Sequence, residues 1–298
     1  MGYSFYMVDV FAERAFSGNP LAVVFGAEAI SDATMQQIAA EMNFSETTFL
    51  AAAPEGDGGY RTRIFTPARE IAFAGHPILG TAWAVRRHLG LESCKKILLN
   101  LAAGQIAVRF EAAADGSELI WFAAPPMSLG KTAPADQVAA AVGLSMDDIG
   151  TQSPIQVVSA GTSAMIVPVR SLDALRRSRL DLGAFEPLAA RGFPPLVYLY
   201  CRETHHPHND LCARFFFEAH GVREDPATGN GAAFLGAYLL AHRAYPAADF
   251  ELRIEQGYEV RRPSLVMLRA QMTDTGQQVS IGGHVVETVH GELLYTDR

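Results

Sequence analysis

The most informative hydrophobic pattern in this chain occurs twice. In each copy, an arginine-led apolar strand is followed by a loop, a glycine-containing turn and a long apolar segment. The first copy covers residues 63–85 and the second covers residues 214–240. His76 and Asn230 occupy corresponding turns and are 154 residues apart, which is close to half of the chain. This spacing predicts an internal duplication of one supersecondary unit.

The long apolar segment of each copy is hydrophobic on every face. Residues 78–85 and 232–240 contain almost no polar side chains. A helix without a polar face is typical of a buried position. Small residues recur in both segments and allow strands to approach closely: Gly80, Ala82, Ala84, Ala233, Gly236 and Ala237. We therefore predict one central buried helix in each half.

The rest of each half is predicted to be mostly strands, because β-branched and aromatic residues dominate its apolar runs. The predicted strands of the first half are 4–11, 22–25, 47–51, 97–101, 106–110 and 118–122. Those of the second half are 155–158, 165–169, 195–200, 250–255, 264–270 and 279–281. Helical spacing predicts surface helices from Ser31 or Asp32 to Asn43 and over residues 134–142. This arrangement is typical of the α+β class.

A proline-rich stretch, residues 124–134, is the best candidate for a boundary between halves, because proline interrupts both helices and strand ladders. We expect a first half over residues 1–125 and a second half over residues 126–298. A chain of 298 residues and 32.2 kDa is long enough for two such halves.

Charge and cysteine content narrow the function classes. The net charge is −8 and no stripe of Lys and Arg is present, so nucleic acid and anionic membranes are poor partners. The sequence shows neither an apolar run of membrane-spanning length nor a secretory signal. The three cysteines form no C-x-x-C pair, which fits reduced thiols. We expect a cytoplasmic enzyme or binding protein that acts on a small molecule.

The two glycine turns are candidate anion sites, because each opens a helix whose first N–H groups attract negative charge. We expect His76 to cap the first helix, with Pro77 at its first position, and Asn230 to cap the second. Such turns would hold the carboxylate of a small substrate. The competing explanation is that the glycines only allow the helices to pack closely against their neighbours.

Three residues near these turns are candidates for acid–base chemistry. Glu46 stands between a predicted helix end and an apolar strand, where partial burial favours the protonated form of a carboxyl group. Asp225 immediately precedes the second turn, and His76 lies within the first. From spacing alone, the simpler explanations account better for each residue taken singly: a solvated loop carboxylate for Glu46, a turn or cap residue for Asp225 and a plain helix cap for His76.

Other motifs point to no cofactor. Residues 125–132 lack the first glycine of a phosphate loop, and the turn at residues 229–234 ends in Phe where a dinucleotide fingerprint has Gly or Ala. The loop His205-His206-Pro207-His208 has no carboxylate or cysteine at ligand spacing, so we predict no metal. No cysteine adjoins either turn, which argues against a two-thiol racemase.

Several short motifs are spread along the chain: Asp9-Val10-Phe11, Phe16-Ser17-Gly18-Asn19-Pro20, Ser45-Glu46-Thr47, Phe65-Thr66-Pro67, Gly75-His76-Pro77, Glu224-Asp225-Pro226-Ala227-Thr228-Gly229-Asn230, Gln256-Gly257, Arg262-Pro263-Ser264 and Ile281-Gly282-Gly283. Together they resemble the PhzF-like phenazine biosynthesis family. The resemblance extends over essentially the whole chain.

The resemblance implies the diaminopimelate-epimerase-like fold, with two pseudo-symmetric halves. Each half is expected to be a mostly antiparallel sheet wrapped as a barrel around its helix, with the active-site cleft between the halves. It also implies a homodimer without cofactor or metal, and an isomerase similar to trans-2,3-dihydro-3-hydroxyanthranilate isomerase.

By resemblance, Glu46 is the acid–base residue, while His76 and Asp225 hold and polarise the substrate. The turns that contain Gly75, Thr228, Gly229 and Asn230 would bind its carboxylate. Asn230 stands where the family's type member has Ser, so the natural substrate stays open. An amino- or hydroxy-acid epimerase and a non-catalytic small-acid binding protein are the alternatives.

Overall fold

The computed structural model describes residues 2–113, 115–217 and 224–294. The chain forms two compact units. The first unit combines the chain up to Ala123 with the C-terminal segment from Gly282, and the second unit is Ala124–Ile281.

Strands outnumber helices in both units, as the α+β prediction requires. In chain order the strands are β1 (Gly2–Val10), β2 (Asn19–Phe25), β3 (Glu46–Leu50), β4 (Tyr60–Phe65), β5 (Glu70–Ile71), β6 (Lys96–Leu101), β7 (Gly104–Ala112), β8 (Glu118–Ala123), β9 (Ser128–Thr132), β10 (Gln156–Ala160), β11 (Thr162–Pro168), β12 (Leu196–Cys201), β13 (Leu211–Phe217), β14 (Glu224–Asp225), β15 (Asp249–Gln256), β16 (Ser264–Thr273), β17 (Gly276–Gly283) and β18 (Val285–Leu294). The helices are α1 (Asp32–Met42), α2 (Gly75–Leu89), α3 (Ala135–Ala141), α4 (Leu172–Arg177), α5 (Leu182–Ala190) and α6 (Gly229–Ala241), with short 3-10 turns at Ala27–Ala29 and Met146–Asp148.

The first unit has a mixed sheet. Strand β1 lies antiparallel between β18 and β2, and β2 runs parallel to β3. Strand β4 is antiparallel to β3 and to the short β5, and it runs parallel to β6. Strands β6, β7 and β8 then form an antiparallel meander.

The second unit repeats the same order of pairings. Strand β10 is antiparallel to β9 and β11, and β11 runs parallel to β12. Strand β13 is antiparallel to β12 and to the short β14, and it runs parallel to β15, which is antiparallel to β16. The predicted duplication is therefore confirmed at the level of strand topology. Closure of either sheet into a barrel stays a prediction.

Each unit contains one central helix, as predicted. Helix α2 contacts β1, β2, β3, β6, β7, β8 and β18, and α6 contacts β10, β11 and β16. Both helices are buried over nearly their whole length. Close approach explains a small residue in α2: a Cβ on Gly80 would lie 2.6 Å from Leu21 Cδ2 and 2.9 Å from Val10 Cγ2.

The structure places both helix caps two residues before the expected ones, at Ala74 and Thr228. Helix α2 begins at Gly75 after Ala74, so His76 is the second helical residue and not the cap. Helix α6 begins at Gly229 after Thr228, so Asn230 is also the second helical residue. The glycines extend both helices further toward their N-termini than the spacing of cap residues suggested. For α1 the prediction is confirmed, with Ser31 as N-cap and Asn43 ending the helix in the left-handed conformation.

The second unit differs from the expected second half, because it ends at Ile281 and not at the C-terminus. Strand β18 pairs along its whole length with β1, which joins residues from Gly282 onward to the first unit. The sequence analysis missed β18, since its residues are mostly half-exposed and show no clear alternation. Within the described residues, no helix is both long and apolar enough to cross a membrane.

We expect Gly80→Ala to destabilise the protein. Alanine favours a helix by about 1 kcal/mol over glycine. Forcing a methyl group into the contact with Leu21 and Val10 costs about 1–3 kcal/mol, because both neighbours are fully buried in the packed core and Val10 is also β-branched. Thermal unfolding should therefore show a lower Tm for Gly80→Ala. Gly183→Ala in α5 is the matched control, since its nearest neighbour would be Asp181 Oδ1 at 3.3 Å. An equal or higher Tm for Gly80→Ala than for the control would contradict the tight contact.

Candidate active site

In the first unit, the structure brings two predicted site residues together. Glu46 is the first residue of β3 and His76 is the second residue of α2. Glu46 Oε2 lies 3.5 Å from His76 Nε2, and their side chains are only 15% and 5% exposed. A carboxyl group and an imidazole therefore face each other in a largely water-free environment.

The His76 ring is neutral and its tautomer is fixed. Burial lowers the pKa of His76 to about 3, and the carbonyl oxygen of Pro20 accepts a hydrogen bond from the ring. The Nε2 atom makes no hydrogen bond of normal geometry, so the donor to Pro20 is Nδ1–H. The Nε2 lone pair consequently points toward Glu46.

Strand register and one buried hydrogen bond set this geometry. Leu21, the residue after Pro20, is paired with Glu46 across the parallel strands β2 and β3. The hydroxyl groups of Thr48 in β3 and Thr81 in α2 are 2.9 Å apart and fully buried. The strand that carries Glu46 is thus tied to the helix that carries His76.

This pair is suited to moving a proton without creating a buried cation. Glu46 can take up a proton as a carboxylate and return it as a carboxylic acid. In the acid form its O–H can donate to the His76 Nε2 lone pair, and such contacts often shorten once a substrate is bound. Because protonating His76 is disfavoured, the exchangeable proton resides on the carboxyl group.

The second unit holds a separate group of predicted residues around the start of α6. Asp225 ends the short strand β14, and Thr228 caps α6. Thr228 Oγ1 donates to Asp225 Oδ2 at 2.6 Å. The two groups lie in different units.

Both glycine turns open helices whose N-caps supply no side-chain acceptor. Ala74 has no polar side chain, and the Thr228 hydroxyl is directed to Asp225 and not to the helix N–H groups. Gly75 and Gly229 are the first helical residues, and no Cβ covers their backbone. Such helix N-termini can accept a carboxylate.

Sequence reasoning missed one polar residue of the second group, Gln256. Its side chain is fully buried at the end of β15 and bonds to Asp225 and Thr228. The signal that could have found it was the Gln256-Gly257 motif, because this pair is one of the motifs that carry the family resemblance.

Three potential metal ligands meet elsewhere in the second unit. Ligand atoms of His205, Cys212 and Glu255 lie within 4.8 Å of one another. Glu255, however, already accepts three hydrogen bonds from the loop at 205–209. Arg176 Nη2 lies 3.1 Å from His205 Nδ1, and because guanidinium only donates, the ring proton sits on Nε2. This donor arrangement fits a loop anchor better than a metal site, and the absence of a metal stays a prediction.

The buried imidazole predicts a pH dependence of stability. The pKa of His76 is about 3 in the folded protein against 6.5 ordinarily, so below pH 6.5 the unfolded chain binds a proton that the folded chain excludes. Stability from this residue is therefore complete above pH 6.5 and is lost as the pH falls toward 3, by up to about 1.4 kcal/mol per pH unit.

Urea unfolding at pH 7 and pH 5 tests this expectation. His76→Gln removes the titrating group, so the stability advantage of the wild type over this variant should shrink by about 1–2 kcal/mol at the lower pH. An advantage that does not change with pH would show that His76 is not held neutral.

Comparisons with known proteins show the family of this chain. Residues 8–291 match the family model PhzC-PhzF, described as phenazine biosynthesis-like protein. An uncharacterized isomerase of Mesorhizobium japonicum is 34% identical over 98% of each chain. The trans-2,3-dihydro-3-hydroxyanthranilate isomerase of Pseudomonas aeruginosa is 36% identical over 93% of each chain.

A solved structure of a PhzF-family protein has a similar fold. The crystal structure of the Bacillus anthracis phenazine biosynthesis protein of the PhzF family superimposes with a TM-score of 0.90 and 26% identity, covering 99% of this chain and all of that one. Sequence motifs, strand topology and relatives named as isomerases lead to one conclusion: this chain is an isomerase of the PhzC-PhzF family of phenazine biosynthesis-like proteins.

Proposed function

We propose that this enzyme moves a proton between two carbons of a small, cyclic, carboxylate-bearing substrate, with Glu46 as the single acid–base residue. The substrate would resemble trans-2,3-dihydro-3-hydroxyanthranilate, on which a relative with 36% identity is named as acting. The observation that carries the proposal is the 3.5 Å approach of Glu46 Oε2 to the neutral His76 Nε2.

The proposed cycle has two proton transfers. The Glu46 carboxylate removes a proton from one ring carbon, and the electron pair left behind is delocalised over the adjacent double bonds. The resulting Glu46 carboxylic acid then delivers the proton to another carbon of the same face. His76 Nε2 accepts a hydrogen bond from the acid form between these steps and stays neutral. Because one carboxyl group performs both transfers, the cycle requires no cofactor.

The remaining predicted residues hold the substrate in this proposal. Asp225 contributes a carboxylate whose orientation is set by Thr228. The first turns of α2 and α6, with Gly75, Gly229 and Asn230, supply N–H donors for the substrate carboxylate. Asn230 is larger than Ser and offers an amide, which favours an acid with a further acceptor near its carboxylate. The homodimer implied by the resemblance stays a prediction.

The alternatives make different demands on the protein. An epimerase that inverts one carbon by deprotonation and reprotonation on opposite faces needs a second base, for which Asp225 and His76 are the candidates. The buried His76 is too weak a base at neutral pH, which leaves Asp225 for that role. A non-catalytic binding protein needs no exchangeable proton at Glu46.

We expect Glu46→Gln to lower kcat by at least about 100-fold, because the amide keeps the shape of the side chain and loses the transferable proton. Binding of anthranilate, a stable aromatic acid with the same carboxylate and amino groups, should change by less than about threefold, as calorimetry would show. Glu41→Gln, on the exposed face of α1, is the matched control and should keep normal turnover. Near-normal turnover by Glu46→Gln would refute the assignment.

Turnover of trans-2,3-dihydro-3-hydroxyanthranilate in deuterated water separates the reactions. The proposed isomerase forms the new C–H bond at a different carbon of the product, and deuterium appears there only to the extent that the Glu46 carboxyl group exchanges with solvent before it returns the proton, as mass and NMR spectra would show. Exchange at an unmoved carbon with inversion would establish an epimerase, and an unchanged ligand after long incubation would favour a binding protein.

A further inference from the structure

The Gln256-Gly257 motif lies against the turn that opens α6. Gly257 has φ +81°, and a Cβ there would lie 2.4 Å from the carbonyl oxygens of Pro226 and Arg262. Only glycine permits this conformation and this contact. The end of β15 is therefore held directly against the segment from Asp225 to Thr228.

Gln256 makes three hydrogen bonds to that segment, and their chemistry fixes its orientation. Its Nε2 donates to the Asp225 carbonyl oxygen at 2.8 Å and to Thr228 Oγ1 at 3.0 Å. Its Oε1 accepts from the Thr228 backbone N–H at 3.2 Å. A carbonyl oxygen can only accept and a backbone N–H can only donate, so the flipped amide would lose both bonds.

The orientation of Gln256 also decides the direction of the Thr228 hydroxyl. Because Nε2 is a donor, Thr228 Oγ1 must accept from it and direct its own hydrogen toward Asp225 Oδ2, 2.6 Å away. A hydrogen bond donated to a carboxylate favours its ionised form. The chain of donors thus runs from Gln256 through Thr228 to Asp225.

We propose that Gln256 is a positioning residue of the isomerase, which orients the Thr228 hydroxyl toward Asp225 and fixes the turn that opens α6. This inference rests on the proposed function, in which Asp225 and that turn hold the substrate. Gln256 itself is fully buried and acts through its two neighbours.

The first test replaces Gln256 by Met, which keeps its length and removes its hydrogen bonds. The value of kcat/KM should fall by about 10- to 100-fold, since small displacements of substrate-holding groups have effects of that size. Gln277→Met is the matched control, because Gln277 Nε2 donates to Ala237 O, toward the other end of the same helix. Equal kcat/KM values for Gln256→Met and Gln277→Met would overturn the inference.

The second test uses Gln256→Glu, whose protonation state is adjustable. A carboxylic acid keeps the acceptor and one of the two donors of the amide, whereas a carboxylate offers acceptors only and opposes the Asp225 carbonyl oxygen. The kcat/KM of Gln256→Glu relative to wild type should therefore rise about fivefold or more between pH 8 and pH 5, and the ratio for Gln256→Met should stay flat. A flat ratio for Gln256→Glu would indicate a merely structural residue.

A third measurement separates this inference from the proposed function. Hydrogen exchange of the Thr228 amide should be faster in Gln256→Met than in Gln277→Met, since only the former loses the Oε1 acceptor. If the wild type turns over no substrate, the proposed function is wrong. Hydrogen exchange of the Thr228 amide and binding of anthranilate then still test whether Gln256 positions the turn. Unchanged exchange and unchanged anthranilate binding in Gln256→Met would reject the inference in that case.

Discussion

The contact between Glu46 and His76 depends on a buried imidazole that stays neutral. The Pro20 carbonyl oxygen accepts a hydrogen bond from its Nδ1–H, and two contacts hold the loop that precedes Pro20. Asp9 is buried and its Oδ2 accepts from the Phe16 backbone N–H at 2.6 Å. Gly18 has φ +66°, and a Cβ there would lie 2.3 Å from the backbone of β1. The loop between β1 and β2 therefore serves the geometry of the acid–base pair.

The duplicated topology is used differently in the two units. Each unit places a short strand and a glycine turn before its central helix, and an arginine binds a glutamate of that strand through both guanidinium branches. Arg63 binds Glu70 at 2.7 Å for both bonds, and Arg214 binds Glu224 at 2.9 and 2.7 Å. Glu70 and Glu224 are 154 residues apart, the same separation as His76 and Asn230. The ion pair thus occupies equivalent positions in the two units, whereas the polar side chains near the two glycine turns differ.

Much of this could be predicted from the sequence. The central helices and most strands follow from local periodicity, and the predicted acid–base residues Glu46 and His76 adjoin in the structure. Strand β18 and the role of Gln256 could not be predicted, because both depend on partners distant in the chain. The true helix starts were also missed, since Thr228 uses its hydroxyl on Asp225 and not on its own helix. A side chain that is expected to cap its own helix can instead donate a hydrogen bond to a neighbouring carboxylate.

The fate of the migrating hydrogen tests the central claim, a single carboxyl group in a shielded site, most directly. We would prepare trans-2,3-dihydro-3-hydroxyanthranilate with deuterium at the carbon that loses its proton and let the enzyme convert it in ordinary water. One base that returns the proton it removed predicts that a measurable part of the deuterium reaches the new carbon of the product. Product formed at the normal rate with no deuterium transferred would contradict a single shielded base at Glu46.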